Sequence, residues 1–219
     1  MQPKRNYQKE LERLLQSLNG RRPTLLLHAC CAPCSSYVLE YLTQYFQITL
    51  FYYNPNIAPE SEYRYRVSEL HRLINEMLPN SDIRVVEGTY DPERFREAVK
   101  GLEREPEGGK RCMVCYRLRL EEAAAAAREY GCEYFTTTLS ISPLKNAEAL
   151  NQIGSELAPA YDTKYLFSDF KKREGYKRSI QLSSQYGLYR QDYCGCAYSK
   201  AERERQKREQ EYANVKSGQ

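Results

Sequence analysis

Between Thr24 and Ser36 the sequence runs TLLLHACCAPCSS, a short apolar segment that breaks into three cysteines, a proline and a serine pair. Leu25 to Leu27 suits a buried strand, and Ser35-Ser36 are N-cap residue types, so the stretch reads as a strand handing thiols to a helix N-terminus. Unpaired backbone N–H groups and the helix dipole there favour thiolate over thiol, the form that binds metals and performs redox chemistry. Free cysteine is also among the most buried residue types. Adjacent cysteines followed by Pro33 and Cys34 in a turn argue against three ordinary core residues.

Strand and helix patterns alternate along the rest of the chain. Asn6 to Asn19 carries leucines at 11, 14, 15 and 18 and is closed by Gly20, an amphipathic helix with a C-cap signal. The Thr24 to His28 strand, a helix from Ser35 to about Gln44 and the apolar run Ile48 to Tyr53 make a parallel βαβ unit. Asn54-Pro-Asn-Ile ends that strand, and Pro59-Glu60 opens a helix with apolar residues at 63, 67, 70, 73, 74 and 77. Further strands are expected at Ile83 to Glu87, Glu133 to Thr138 and Lys164 to Phe167, and further helices after Asp91-Pro92 and at Cys112 to Tyr130, Asn146 to Leu157 and Arg178 to Tyr186. The expected fold is α/β, a doubly wound, mostly parallel sheet with helices on both faces and the cysteine site at the carboxyl ends of the strands. Residues 1–23 are read as an N-terminal helix packed on the domain, 24–199 as the α/β catalytic domain and 200–219 as a charged C-terminal tail.

With 219 residues the chain has enough material for one well-buried core. Charged residues make up 28%, yet the apolar periodicity is too regular for a disordered chain. No apolar run approaches the roughly 20 residues of a membrane span. Met1 to Gly20 is polar and charged rather than a signal peptide, so the expected compartment is the cytoplasm. In a reducing compartment eight cysteines point to metal or catalysis rather than to a disulfide scaffold.

Seven of the eight cysteines fall in three clusters, Cys30-Cys31-x-x-Cys34, Cys112-x-x-Cys115 and Cys194-x-Cys196. The CxxC spacing lets two thiolates reach one metal, and its place in the first turn of a helix favours negative charge. Together with thiols from a strand end of the same sheet it predicts a four-thiolate site. Zinc and iron-sulfur both satisfy that spacing. The surplus thiols favour redox chemistry, because a closed zinc site leaves three clustered cysteines unexplained. Cys194 and Cys196, if oxidised, would close a small, strained and easily reduced ring. Cys31-x-x-Cys34 also fits a thioredoxin-like pair, against which stand Cys30 and the second CxxC. Cys132 reads as a small buried residue, His28 as a hydrogen-bonding residue behind the cysteines, and His71 as a helix residue without a role. Asp162, Lys164, Asp169, Lys171 and Asp192 are candidate proton donors by their closeness to predicted sheet edges or the CxC turn.

Net charge is +4, and Lys171 to Arg178 alone holds five basic residues and one acid. Such a run is ordinarily a solvated face. Twenty tyrosines supply flat surfaces able to stack on bases, although most belong to core and rim.

The ordered set ACCAPCS, NPNI, Glu69 two turns past Tyr63, RCMVCYRLRL, FTTTLSISP, Asp162-x-Lys164 with KKREGY, and YRQDYCGCAYS resembles the QueH family of epoxyqueuosine reductases over nearly Thr24 to Ser199. The resemblance implies reduction of the epoxide of epoxyqueuosine at the wobble position of tRNA, giving queuosine, with a 4Fe-4S cluster. It implies Cys30, Cys31, Cys112 and Cys115 as cluster ligands and Cys194 and Cys196 as a redox-active pair. Cys34 is the replacement ligand, and the surplus thiols leave room for a second iron. Removing the oxygen as water consumes two electrons and two protons, so an external electron donor is expected. A tRNA substrate turns Lys171, Lys172, Arg173, Lys177 and Arg178 into candidate phosphate contacts. The competing readings are a nucleotide-dependent tRNA-modifying enzyme of the ATP-pyrophosphatase kind and a noncatalytic zinc module that binds RNA. The first needs a Gly/Ser-rich phosphate cradle where this chain has Ala-Cys-Cys-Ala-Pro-Cys.

Overall fold

The computed structural model describes residues 5–217. Residues 1–4 of the expected N-terminal helix segment and 218–219 of the expected tail lie outside the described residues.

Among the described residues five strands, β1 (Thr24–Ala29), β2 (Gln47–Tyr52), β3 (Arg84–Glu87), β4 (Tyr134–Thr137) and β5 (Lys164–Tyr165), form one sheet in the order β3-β2-β1-β4-β5. Every pairing is parallel. The chain winds outward from β1 to β3 and then returns to the far side of β1 for β4, so a topological switch point lies between β1 and β4. The expected doubly wound α/β fold is the observed one.

Side chains of β1 alternate between two cores, as the pleat requires. Leu25, Leu27 and Ala29 pack with α1 (Tyr7–Ser17), α2 (Ala32–Leu42) and α3 (Glu60–Met77). Leu26 faces the other way, onto α5 (Lys110–Glu129) and α6 (Ala147–Leu157). The stripe of α1 delivers Leu11, Leu15 and Leu18 to the first core, each worth about 2 kcal/mol of burial. A smaller cluster joins α4 (Pro92–Ala98) to α5 through Phe95, Val99 and Leu118. Two helices complete the chain, α7 (Gly175–Gln185) and α8 (Ala197–Ser217). The described side chains of α8 beyond Lys200 are nearly all exposed, as its lack of an apolar stripe requires. No helix among the described residues is long and apolar enough to cross a membrane.

Helix α7 starts at Gly175, three residues before the expected Arg178, and two further element boundaries differ from expectation for identifiable reasons. Helix α2 starts at Ala32 rather than Ser35, because Ser35 and Ser36 do not cap it. Their hydroxyls donate backward, to Cys31 O at 2.8 Å and Pro33 O at 2.9 Å, an alternative open to serine inside a helix. Strand β5 stops at Tyr165, two residues early. Beyond it Phe167 stacks on Tyr7 and Ser168 N donates to the side chain of Asn151 at 2.9 Å.

Candidate metal centre

Cys30 leaves β1 at the switch point, where its N–H donates to Thr138 Oγ1 at 3.1 Å. Cys31 is the extended N-cap residue of α2, and Pro33 and Cys34 occupy the first turn. This bend folds the three sulfurs back on one another, all within 4.8 Å, with Cys30 Sγ and Cys31 Sγ 3.9 Å apart. Hydrogen bonds from Cys31 and Cys34, helped by Thr138, hold the Cys30 thiol well below its ordinary pKa. The same bonds to Cys30 push Cys31 and Cys34 up. One thiolate sharing two S–H groups presents three sulfur donors to a soft cation, which takes the place of the two released protons. The cluster can therefore bind a metal.

The second pair enters from α5, whose N-cap is Gly109. Cys112 Sγ accepts the N–H of Gly108 at 3.2 Å, and Cys112 packs in the same apolar cluster that Cys30 touches. Cys115 is buried beside Phe95, Val99, Leu118 and Cys196. Burial pushes Cys112 up and Cys115 up to about 12. Neither sulfur joins the group formed by Cys30, Cys31 and Cys34. In the third pair, Cys194 lines a cavity shared with that group. Cys196 is buried, and its sulfur accepts Ser199 N–H at 3.3 Å at the start of α8. Gly195 between them has φ 106°, and a Cβ there would lie 3.0 Å from Arg66 Nη1 and from Ile57 Cγ1. All eight cysteines are free thiols.

The cavity has a volume of about 260 Å³ and is walled by Cys30, Cys31, Cys34 and Cys194 together with three buried cations, Arg66, Arg119 and Lys145. Arg66 pairs with Glu62 at 2.7 Å and Lys145 with Glu107 at 2.6 Å. Sequence reading missed all three. Arg119 carried a signal, since it lies four residues after Cys115 and hence on the same helix face. Arg66 carried one too, three residues after Tyr63 on the apolar stripe of α3; Lys145 carried none. Of the candidate proton donors, Asp192 reaches this cavity, where it pairs with Lys207 at 2.6 Å and Arg203 at 3.5 Å. Asp162 and Lys164 lie at the amino end of β5, where Lys164 pairs with Glu133, because β5 runs parallel and starts with that motif. Asp169 and Lys171 pair with each other at 2.6 Å beside a separate cavity near Tyr7.

His28 is fully buried, accepts from Thr137 Oγ1 at Nδ1 (2.8 Å) and donates from Nε2 to Tyr53 O (2.9 Å). Burial, then the charge of Arg119, lowers its pKa to about 4, so the ring is a neutral hydrogen-bonding strut. His71 is half exposed on α3 and faces Glu87. Cys132 is a buried core residue. In the basic run, Arg173 pairs with Glu12 on α1, Lys177 with Glu174 and Arg178 with Glu40 on α2. Most of its charge is thus matched within the fold, while Lys172 is exposed.

The sequence model described as epoxyqueuosine reductase QueH matches residues 25–202. A protein of Staphylococcus epidermidis named epoxyqueuosine reductase QueH is 44% identical over 200 residues, covering 89% of this chain and 84% of its own. One of Streptococcus pyogenes with the same name is 42% identical, covering 89% and 78%. One of Thermotoga maritima, again so named, is 39% identical over 186 residues, covering 82% and 92%. With Cys30, Cys31 and Cys34 gathered at the carboxyl edge of a doubly wound sheet and this match over most of its length, the chain belongs to the QueH family of epoxyqueuosine reductases.

Proposed function

We propose that this protein is an oxidoreductase of tRNA modification that reduces the epoxide of epoxyqueuosine at the wobble position of tRNA to give queuosine. The observation that carries the reading is the meeting of Cys30, Cys31 and Cys34 within 4.8 Å on the wall of a cavity, in a chain of this family. The reaction takes two electrons and two protons, breaks both C–O bonds, forms the C=C bond and releases the oxygen as water.

The donor set fits a thiolate-held iron-sulfur group, because the sulfurs converge and a buried cation on the wall, Arg119, has a nitrogen with no partner. Cys30, Cys31, Cys112 and Cys115 would hold a 4Fe-4S cluster, with Cys34 as the replacement ligand or as a ligand to a second iron. When bound, such a group supplies electrons one at a time together with a Lewis-acidic iron. Cys194 and Cys196 serve as the redox-active pair, storing two electrons as dithiol and releasing them as a strained disulfide. An external donor restores the dithiol. Asp192 is the wall residue placed to pass a proton from solvent. Lys171, Lys172, Arg173, Lys177 and Arg178 contact tRNA phosphates; the surface ion pairs of Arg173, Lys177 and Arg178 are weak enough to exchange for phosphate. Residues 24–199 form the catalytic domain, carried with the N-terminal helix and the charged C-terminal segment, and the site of action is the cytoplasm.

The deciding experiment is anaerobic purification with iron, sulfide and zinc assays, followed by turnover on tRNA bearing epoxyqueuosine. Iron with sulfide and formation of queuosine are expected. Zinc alone without turnover would favour an RNA-binding module, and turnover that requires ATP would favour the nucleotide-dependent class.

A further inference from the structure

Arg119 is 1% exposed, and its Nη2 has no hydrogen-bond partner among the described residues. Its guanidinium is held at two other points. Nε donates to Cys115 O at 3.2 Å and Nη1 to Asn54 Oδ1 at 3.4 Å. Asn54 in turn donates from Nδ2 to Ala29 O at 2.9 Å, one residue before Cys30. The fork thus bridges α5, with its CxxC, to the end of β1, with its tandem cysteines. A buried cation without a counter-charge is costly, because burial strips its hydration and nothing replaces it. The other two buried cations of the wall have carboxylates, Glu62 for Arg66 and Glu107 for Lys145. Among the described residues Arg119 has none. The sulfur groups able to become anionic on the cavity wall it shares are the thiols of Cys30, Cys31, Cys34 and Cys194.

We propose that Arg119 is the fixed counter-charge of the cysteine site, a positioning residue whose free Nη2 N–H groups are reserved for anionic sulfur at the junction of the β1 and α5 thiols. The inference rests on the metal-centre reading given above and adds to it a cause for the site's electrical balance. A thiolate-rich centre gains negative charge with each electron. A cation fixed beside it in a water-poor wall makes that electron easier to hold, since net charge and hydrogen bonds to sulfur set the potential of such centres. Lysine at position 119 would keep the charge and lose the fork; methionine or glutamine would lose the charge.

The test compares full-length wild type, Arg119→Met, Arg119→Gln and Arg119→Lys, purified anaerobically, by iron and sulfide content, spectroelectrochemical midpoint potential and far-UV circular dichroism. In Arg119→Met the reduction equilibrium should fall at least tenfold, about 59 mV more negative for a one-electron couple, with Arg119→Lys staying close to wild type. A wild-type potential and cluster content in the methionine variant would overturn the proposal. So would an equal fall in the lysine variant, which would assign the effect to shape. If Arg119→Met fails to fold, Arg119→Gln against Arg119→Lys makes the same comparison. If the wild type takes up zinc without sulfide, the iron-sulfur reading fails, and Arg119 is then judged by chelator competition. A tenfold weaker zinc affinity in the glutamine than in the lysine variant supports the counter-charge, and equal affinities refute it.

Discussion

Thr138 grips Cys30 from both ends: its Oγ1 accepts the Cys30 N–H at 3.1 Å and donates to the Cys30 sulfur at 3.3 Å. The contact crosses the switch point, joining the end of β1 to the 3-10 turn that follows β4, Thr138–Ile141. Its donation to sulfur is one of the bonds that lower the Cys30 thiol. Thr138→Val keeps the shape and removes the donor, so the pKa of Cys30 should rise. In the metal-free protein its alkylation at neutral pH should slow several-fold, and the midpoint of the rate against pH should move upward. An unchanged profile would mean that Cys31 and Cys34 alone set the thiolate.

His28 gives a prediction with a definite sign. Its folded pKa is lowered to about 4 from the ordinary 6.5, so the unfolded chain binds the proton first as pH falls. The stabilising effect of keeping the ring neutral is fully present above about pH 6.5 and is lost as pH falls from there toward 4, a span worth about 3 kcal/mol. Urea midpoints between pH 7 and pH 4.5 should decline in the metal-free wild type. His28→Asn should be less stable at pH 7, because the bonds to Thr137 and Tyr53 are disturbed, and should decline less. Parallel declines in both proteins would place the acid sensitivity elsewhere.

Much of this architecture was legible because it rests on short-range rules. The alternation of Leu25, Leu26 and Leu27 between two cores follows from the pleat, and the thiol clusters fall at element starts, where Pro33 and Gly109 mark helix entry. What stayed hidden depends on which face an element presents after packing. Arg117 and Arg119 look alike in RCMVCYRLRL. Arg117 is half exposed and pairs with Glu156, whereas Arg119 is turned inward with Cys115. Asp162 and Lys164 looked like edge residues and are, but at the amino edge, away from the thiols. The grouping of Cys34 with Cys30 and Cys31, ahead of Cys112 and Cys115, comes from a backbone bend at Cys31 that spacing does not encode.

If the basic run meets tRNA, replacing Lys171, Lys172 and Arg173 together with alanine should weaken binding. It should also reduce the slope of log affinity against log salt by up to about 3, one for each phosphate left without its cation. Arg178→Ala should matter less than Lys172→Ala, since Arg178 must first release Glu40. Filter binding at several salt concentrations checks both. An unchanged slope in the triple variant would leave the run as a surface already balanced by Asp169 and Glu12.

The ligand and relay roles separate cleanly by metal content. Alanine at Cys30, Cys31, Cys112 or Cys115 should lower bound iron and sulfide, and Cys34→Ala should do so only if Cys34 takes a ligand position. Serine at Cys194 or Cys196 should leave the cluster spectrum intact and abolish multiple turnover on tRNA bearing epoxyqueuosine. The two serine variants should differ in exposure to reagents: Cys194 lines the cavity, whereas Cys196 is buried behind its bond to Ser199. Hence in the cluster-loaded protein, where Cys30 is held as a ligand, Cys196→Ser should retain the fast-alkylating cavity thiol and Cys194→Ser should lose it. Loss of iron in both serine variants would make the pair metal ligands, and wild-type turnover in both would remove it from the electron path.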